Sequence, residues 1–490
     1  MKLKKKSKNN GMTTRRSKES SRDKTGLTPE RSSSADSGSL SKGSLVEIDI
    51  TDLDDDGCGI SRYGAYELRI SGVAPGDKAL AAIDHVAKRI AFGHVKKILT
   101  PSRARSKRPL CGESRRCLGC PLIVMKYEDQ VDWKLKLVRR HLQAYHDLSD
   151  VTVHPLLSPE RLIGYRTTVK LAIAGKHSDP YIGIFRRFSH DVYDLEECPI
   201  HHPLINKAIK IVRQAISSLK IPIYNPRSEM GLLRYLVLRV SETDQKIMVV
   251  FVVSKRSFNE LHHLAKYMRQ HLPEADVIAQ NVNSSTGNVI MGATDYFLTP
   301  KRHLTECVGD IRLALSPRSF FQVNRDGARL VYEKVSDWAG LTGAETALDL
   351  YCGIGGIALT LARRALRVVG VEFAESAVDD ARKNARLNGI ENCEFEAGDA
   401  SEQLKELVEK IGHARTVVLN PPRKGCDEQV LRQAAALTPR VILYVSCSPQ
   451  SLARDLSLLK TLGYDCREIQ PVDMFPQTMH VESVARLESR

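Results

Sequence analysis

From residue 346 to its end the chain repeats one pattern: a short strand-like run, a stretch with helical periodicity, then another such run. The runs at 346–350, 368–372, 394–396, 417–419 and 441–445 read as buried strands. This alternation predicts a doubly wound parallel α/β sheet, because a parallel neighbour is reached only by crossing a face of the sheet, and a helix makes that crossing. Ligands in such sheets bind beyond the carboxyl ends of the strands. The unusual residues of this half fall there: 349–356, Glu372, Asp399, the turn from Asn420 to Gly425, and Cys447 with Pro449. One site is expected along that edge.

Asp349-Leu350-Tyr351-Cys352-Gly353-Ile354-Gly355-Gly356 ends the first strand and opens a helix. Glycines there let backbone approach a ligand with no Cβ in the way. Only Gly353 and Gly355 keep the dinucleotide-fingerprint spacing, and no Lys-Ser/Thr follows, so the loop is not a phosphate-binding P-loop. Glu372, about twenty residues on, can accept hydrogen bonds from both hydroxyls of a ribose. Asp399, after the third strand, is placed to reach an adenine. In this order they predict a nucleoside-bearing cofactor.

Val445-Ser446-Cys447-Ser448-Pro449 puts a thiol at the end of the last parallel strand, and Glu482 follows within Met474-Phe475-Pro476-Gln477-Thr478-Met479-His480-Val481-Glu482-Ser483. A lone cysteine is ordinarily a buried apolar filler. A thiol beside a carboxylate suits methylation at carbon 5 of a pyrimidine, a carbon that becomes nucleophilic once a thiolate has added to carbon 6. A cysteine titrates near ~8.5, so the site must lower that value or take the proton during attack. Arg423 could help electrostatically. The pyrimidine must leave its stack to meet both groups, so a flipped nucleotide is expected.

The eleven cysteines are an odd count in a long chain with no export signal, and they read as cytosolic thiols and metal ligands rather than disulfides. Cys111 and Cys117 have five residues between them, Cys117 and Cys120 two, and Cys198-Pro199 lies far along. That pattern suits either an iron–sulfur cluster or a four-cysteine zinc site. Upstream, 44–100 alternates at strand period with turns at Asp56-Gly57 and Pro75-Gly76, as in an OB-like barrel of five strands. A helix over 126–148 and a central α/β segment follow, with strands at 232–240 and 247–253. Half of the +15 net charge lies in residues 1–44, where twelve Lys/Arg face four Asp/Glu. That Ser/Lys/Arg-rich tail, 1–43, is expected to be disordered and to attract phosphates. No apolar run approaches the roughly 18 residues of a membrane span.

Phe320-Phe321-Gln322-Val323-Asn324, the loop 349–356, Pro421-Pro422-Arg423-Lys424-Gly425, Ser446-Cys447-Ser448-Pro449 and the segment 474–483 together resemble the RNA uridine-5-methyltransferases, over residues 44–490. The resemblance implies a TRAM barrel (44–100), a central domain with the cysteine box (101–318) and a Rossmann-like methyltransferase domain (319–490). It implies Cys447 as nucleophile and Glu482 as base. Gln322, Tyr351, Gly356, Glu372, Asp399 and Asn420 match the positions that bind S-adenosylmethionine. Cys111, Cys117, Cys120 and Cys198 match the [4Fe–4S] ligands of the ribosomal RNA branch, which points to 23S ribosomal RNA as the partner. A cytoplasmic monomer is expected, with no membrane association. Two positions depart from the family pattern: Asn420 stands where Asp is usual before Pro-Pro-Arg, and Gly356 where Asn is frequent. Rival readings are methylation of transfer RNA, 5-methylcytosine or amino-group methylation, and a ribosome-assembly factor with lapsed catalysis. Arg423 after Pro421-Pro422 argues against the cytosine and amino chemistries.

Overall fold

The computed structural model describes residues 39–490 apart from 114–116, 187–188, 288, 401 and 405–412, so most of the basic tail lies outside the described residues. Elements are numbered in chain order among those described. Strands β1 (Leu45–Asp49), β2 (Asp52–Leu53), β3 (Gly59–Tyr63), β4 (Tyr66–Ser71), β5 (Lys78–Val86) and β6 (Ile90–Thr100) form one sheet in the order β1-β5-β6-β4-β3-β2, one short strand more than the five expected. Alternate residues such as Val46, Ile48, Leu68 and Ile70 fill its core. Asp77 is fully buried and accepts from the Ala74 and Ser102 amides and from Arg105 at 2.6 Å, tying the sheet to the segment that leads to the cysteine box.

Helix α1 (Tyr127–Gln143) follows, and a single 3-10 turn at His146–Leu148 replaces the last part of the expected helix. Its buried stripe is Gln130, Trp133, Lys134, Leu137, Val138 and Leu142, spaced as one helical face. The sequence groups this helix with the central segment. In the structure Trp133, Leu137 and Val138 instead join the core that underlies the C-terminal sheet, with Leu452, Leu456 and Tyr464. Strand β7 (Thr152–Val153) continues in the same direction and becomes the edge of that sheet.

The central domain is a seven-stranded sheet of β8 (Thr168–Lys176), β9 (Asp179–Phe185), β10 (Val192–Asp194), β11 (Leu233–Ser241), β12 (Lys246–Val253), β13 (Ala275–Val282) and β14 (Thr294–Phe297), ordered β10-β9-β8-β11-β12-β13-β14. Helices α2 (Pro203–Ser218) and α3 (Asn259–His271) pack in its main core. A hairpin, β15 (Leu304–Val308) and β16 (Ile311–Leu315), leads to α4 (Arg325–Trp338), whose first turn is capped by the Asn324 side chain.

The C-terminal half holds β17 (Thr346–Leu350), α5 (Gly356–Ala362), β18 (Arg367–Glu372), α6 (Glu375–Leu387), β19 (Cys393–Ala397), β20 (Thr416–Leu419), α7 (Glu428–Ala436), β21 (Val441–Ser446), α8 (Pro449–Thr461), β22 (Tyr464–Val472) and β23 (Glu482–Ser489). The sheet runs β19-β18-β17-β20-β21-β23-β22-β7. Strands β17 to β21 are parallel and β23 is antiparallel to β21, so β23 begins where the parallel strands end. The strand order reverses between β17 and β20, which opens the crevice such sheets use for ligands. Among the described residues no helix is long and apolar enough to cross a membrane.

Candidate active site

Every residue of β21 is buried, which fixes the strand, and Pro449 opens α8 with the Ser448 hydroxyl accepting from Ser451 N. Cys447 is therefore held in the short turn between a rigid strand and a capped helix. In the β21–β23 ladder Ser446 lies opposite Ser483. Cys447 is the first residue past β21 and Glu482 the first residue of β23, so the two stand at the same end of neighbouring strands. The thiol and the carboxylate, 35 residues apart in sequence, meet there.

Glu482 is 3% exposed, against the solvated carboxylate expected of a lone Glu at a strand end. Burial pushes its carboxyl up to about 8, opposed by Arg423. Burial, then the charge of Glu482, pushes the Cys447 thiol up, while Arg423 pulls it down and hydrogen-bonds it. Arg423 Nη2 also meets His480 Nε2 at 3.1 Å. Burial and Arg423 hold His480 down at about 4, so its imidazole is neutral and accepts from the guanidinium. One guanidinium thus contacts the thiol and the imidazole and acts on the carboxylate through its charge.

At the other end of the edge, Gly353 N and Ala374 N donate to the two carboxylate oxygens of Glu372 at 3.1 and 2.9 Å. A carboxylate has about four acceptor positions, so Glu372 keeps capacity for a further pair of donors. Gly353 and Gly355 adopt φ of +55° and +87°, conformations that side chains disfavour. Tyr351 shares the left-handed region, and its phenol lies near the Cys426 thiol and the Asp399 carboxylate. Asp399 stands two residues past β19 and is exposed, with its carbonyl starting a turn at Gln403. Asn420 follows β20 and is tied to β17 by its amide, 3.2 Å from Leu350 O. Gln322 lies half-buried between β16 and α4. A Cβ on Gly356 would stand 2.2 Å from the Tyr332 hydroxyl, so the ring of Tyr332 fills the space a side chain would take.

Cys111, Cys117, Cys120 and Cys198 line one cavity with Pro199. Burial pushes the thiols of Cys117, Cys120 and Cys198 up, Cys198 to about 11, and neighbouring thiols add to each rise. Asn206 of α2 clasps the Cys198 backbone, accepting from its N–H at 3.2 Å and donating to its carbonyl at 3.0 Å. Among the described residues no group of three or more His, Cys, Asp or Glu is arranged to hold a metal ion.

Sequence reasoning gave no role to Asp349, whose fully buried carboxyl is pushed up to about 8 by burial, against the pull of the Ala358 amide. It also passed over His480 and Tyr332. Their placement depends on tertiary contacts that no spacing encodes. Lys134 left a signal: it sits four residues from both Gln130 and Val138, on the apolar stripe of α1.

Five parallel strands, an antiparallel strand beside the last of them, and a glycine loop facing a strand-end carboxylate define a class, the S-adenosylmethionine-dependent methyltransferases. The chain belongs to the tRNA (uracil-5-)-methyltransferase family, whose model matches residues 126–490. It is 51% identical over 449 residues to an uncharacterised RNA methyltransferase of Geobacter sulfurreducens, covering 92% of this chain and 91% of that one. An uncharacterised RNA methyltransferase of Halalkalibacterium halodurans is 36% identical, over 92% of this chain and 98% of the relative. The crystal structure of Pyrococcus abyssi tRNA (uracil-54, C5)-methyltransferase with S-adenosyl-L-homocysteine superposes with a TM-score of 0.72 at 29% identity, covering 90% of this chain and all of that one. The protein is an S-adenosylmethionine-dependent RNA uracil-5-methyltransferase.

Proposed function

We propose that the protein methylates carbon 5 of one uridine in 23S ribosomal RNA through a covalent adduct on Cys447, working as a cytoplasmic monomer. The observation that carries the adduct is the placement of Cys447 and Glu482 at the same end of the neighbouring strands β21 and β23, close enough for their charges to act on each other and with Arg423 acting on both. The Cys447 thiol loses its proton to water, stabilised by the guanidinium, and the thiolate adds to carbon 6 of a flipped uracil. Carbon 5 gains electron density as the sulfur bond forms. Bound S-adenosylmethionine supplies the methyl group that carbon 5 takes. Ionised Glu482 then removes the carbon 5 proton, the sulfur–carbon bond breaks, and the thiolate returns. Gln322, Tyr351, Gly356, Glu372, Asp399 and Asn420 are the residues that would hold the cofactor, and Glu372 has acceptor capacity that could take hydrogen bonds from ribose hydroxyls.

The four thiols around one cavity fit a [4Fe–4S] cluster held by Cys111, Cys117, Cys120 and Cys198. A cluster would tie the barrel exit, α1 and α2 together and relieve the crowding of protonated thiols. The barrel and the cysteine box lie before the family-matched region and favour ribosomal RNA. The similarity to the Pyrococcus abyssi enzyme favours a second reading, transfer RNA. Mass mapping of both RNAs from cells lacking the protein decides. Loss of one 5-methyluridine from large-subunit RNA supports the proposal, loss from transfer RNA supports the second reading, and no loss from either overturns both.

A further inference from the structure

The residues that carry the reaction hang on two different supports. Cys447 follows β21 and precedes α8, whereas Glu482 opens β23 directly after the turn 473–481, which has no regular structure of its own. We infer that Gln130 and Lys134 of α1 are positioning residues for the base: they clamp this turn and so set Glu482 against Cys447. The inference rests on the functional reading above, because it assigns the clamp to one step of that reaction.

The turn has a few hydrogen bonds of its own, among them Thr478 N to Phe475 O at 3.2 Å, and is also held from outside. Gln130 and Gln477 form a reciprocal pair, Gln130 Nε2 donating to Gln477 Oε1 at 2.9 Å and Gln477 N donating to Gln130 Oε1 at 3.0 Å. Leu122 N, two residues past Cys120, donates to Gln477 O at 3.1 Å. Lys134 Nζ reaches Asp473 Oδ1 at 2.6 Å and Phe475 O at 3.0 Å, and Tyr127 Oη donates to the other Asp473 oxygen at 3.0 Å. Lys134 and Asp473 are both fully buried, a placement tolerated only when the charges are paired and every proton is used. Gln477 has φ +73°, a conformation a side chain disfavours and that neighbours must impose. Groups of α1 are prominent among those neighbours, alongside Leu122, Tyr165 and Asn324. Three residues beyond Gln477 comes His480, and five beyond comes Glu482. The same helix packs against α8 through Trp133, Leu137 and Leu456, so one rigid body touches the supports of both reacting groups.

The turn carries the base and not the nucleophile, which gives the inference a step-specific test. Wild type, Gln130→Leu and Gln130→Glu are incubated with methyl-labelled S-adenosylmethionine and total RNA from cells lacking the protein. Labelled RNA bound to protein through denaturing electrophoresis is compared with labelled RNA released. Gln130→Leu keeps volume but removes both bonds to Gln477, along with the one to Met125 O. It should still form adduct but release product about ten- to a hundredfold more slowly, so protein-bound label rises several-fold. Gln130→Glu keeps the acceptor for Gln477 N and should fall between. If Gln130→Leu releases product at the wild-type rate, or if adduct and release fall in parallel with the melting temperature, α1 is only scaffold and the inference fails. If wild type itself moves no label to RNA, the functional reading fails before the clamp is tested.

Discussion

Glu482 decides the pH behaviour. Its carboxyl sits at about 8 in the folded protein, so the ionised base is a minority at neutral pH and grows as pH rises through that value. The turnover number should climb with pH and level off above about 8. Arg423 opposes the upward shift, so Arg423→Met should move that limb to higher pH, as measured by pH–rate profiles of both proteins. The same burial acts on stability. A carboxyl whose folded value lies above its ordinary 4.5 supports the fold fully at low pH, and that support is lost as pH rises from about 4.5 to about 8. Glu482→Gln removes the penalty. It should raise the melting temperature at pH 8, by a free energy on the order of 3 kcal/mol, and give no gain at pH 4. At Gly356 the sign reverses: Gly356→Ala drives a Cβ into Tyr332 and should cost about 1–3 kcal/mol and weaken cofactor binding. Equilibrium unfolding and titration calorimetry measure both, and Tyr332→Ala should recover part of the loss. The nearness of Cys447 to Glu482 was expected from the sequence because their motifs name a chemistry that needs both. Their raised pKa values were not, because they arise from burial by segments distant in sequence.

At the level of elements, the parallel strands were legible to within a residue or two. Strands covered on both faces are continuous apolar runs, as in Val441–Ser446. The edge along which the site residues gather followed from topology alone. The partner of α1 was not legible. Helical periodicity announces a buried face, but Trp133, Leu137 and Val138 would satisfy any core equally well. What marks α1 as special is Gln130 and Lys134 on that face, two polar groups whose burial demands partners, here in the turn 473–477. The short 3-10 turn Pro121–Val124, directly after Cys120, belongs to the same support through the Leu122–Gln477 hydrogen bond. An anaerobic preparation should be brown and contain about four iron atoms per chain. Cys120→Ser should lose most of that iron and slow product release as Gln130→Leu does. Stoichiometric zinc in the native preparation would reverse the assignment.

For the whole molecule, residues 40–490 form one compact unit in which α1 and β7 belong structurally to the C-terminal sheet. A fragment beginning at the expected boundary of 319 would lack the helix that covers α8 and the strand that closes the sheet edge. It should be insoluble or molten, whereas the chain from residue 40 should unfold cooperatively. Twelve of the basic residues precede the barrel. Removing residues 1–43 should weaken RNA binding at low salt and flatten its salt dependence, leaving turnover at saturating RNA unchanged. Everything in this chemistry requires sulfur 447 and the Glu482 carboxylate to flank one pyrimidine. The most direct measurement uses 5-fluorouridine RNA, in which fluorine replaces the proton that Glu482 must remove. With cofactor present, wild type should be trapped on the RNA, and peptide mass spectrometry should place the link on Cys447. A link at another residue, or an adduct that persists in Cys447→Ala, would contradict it.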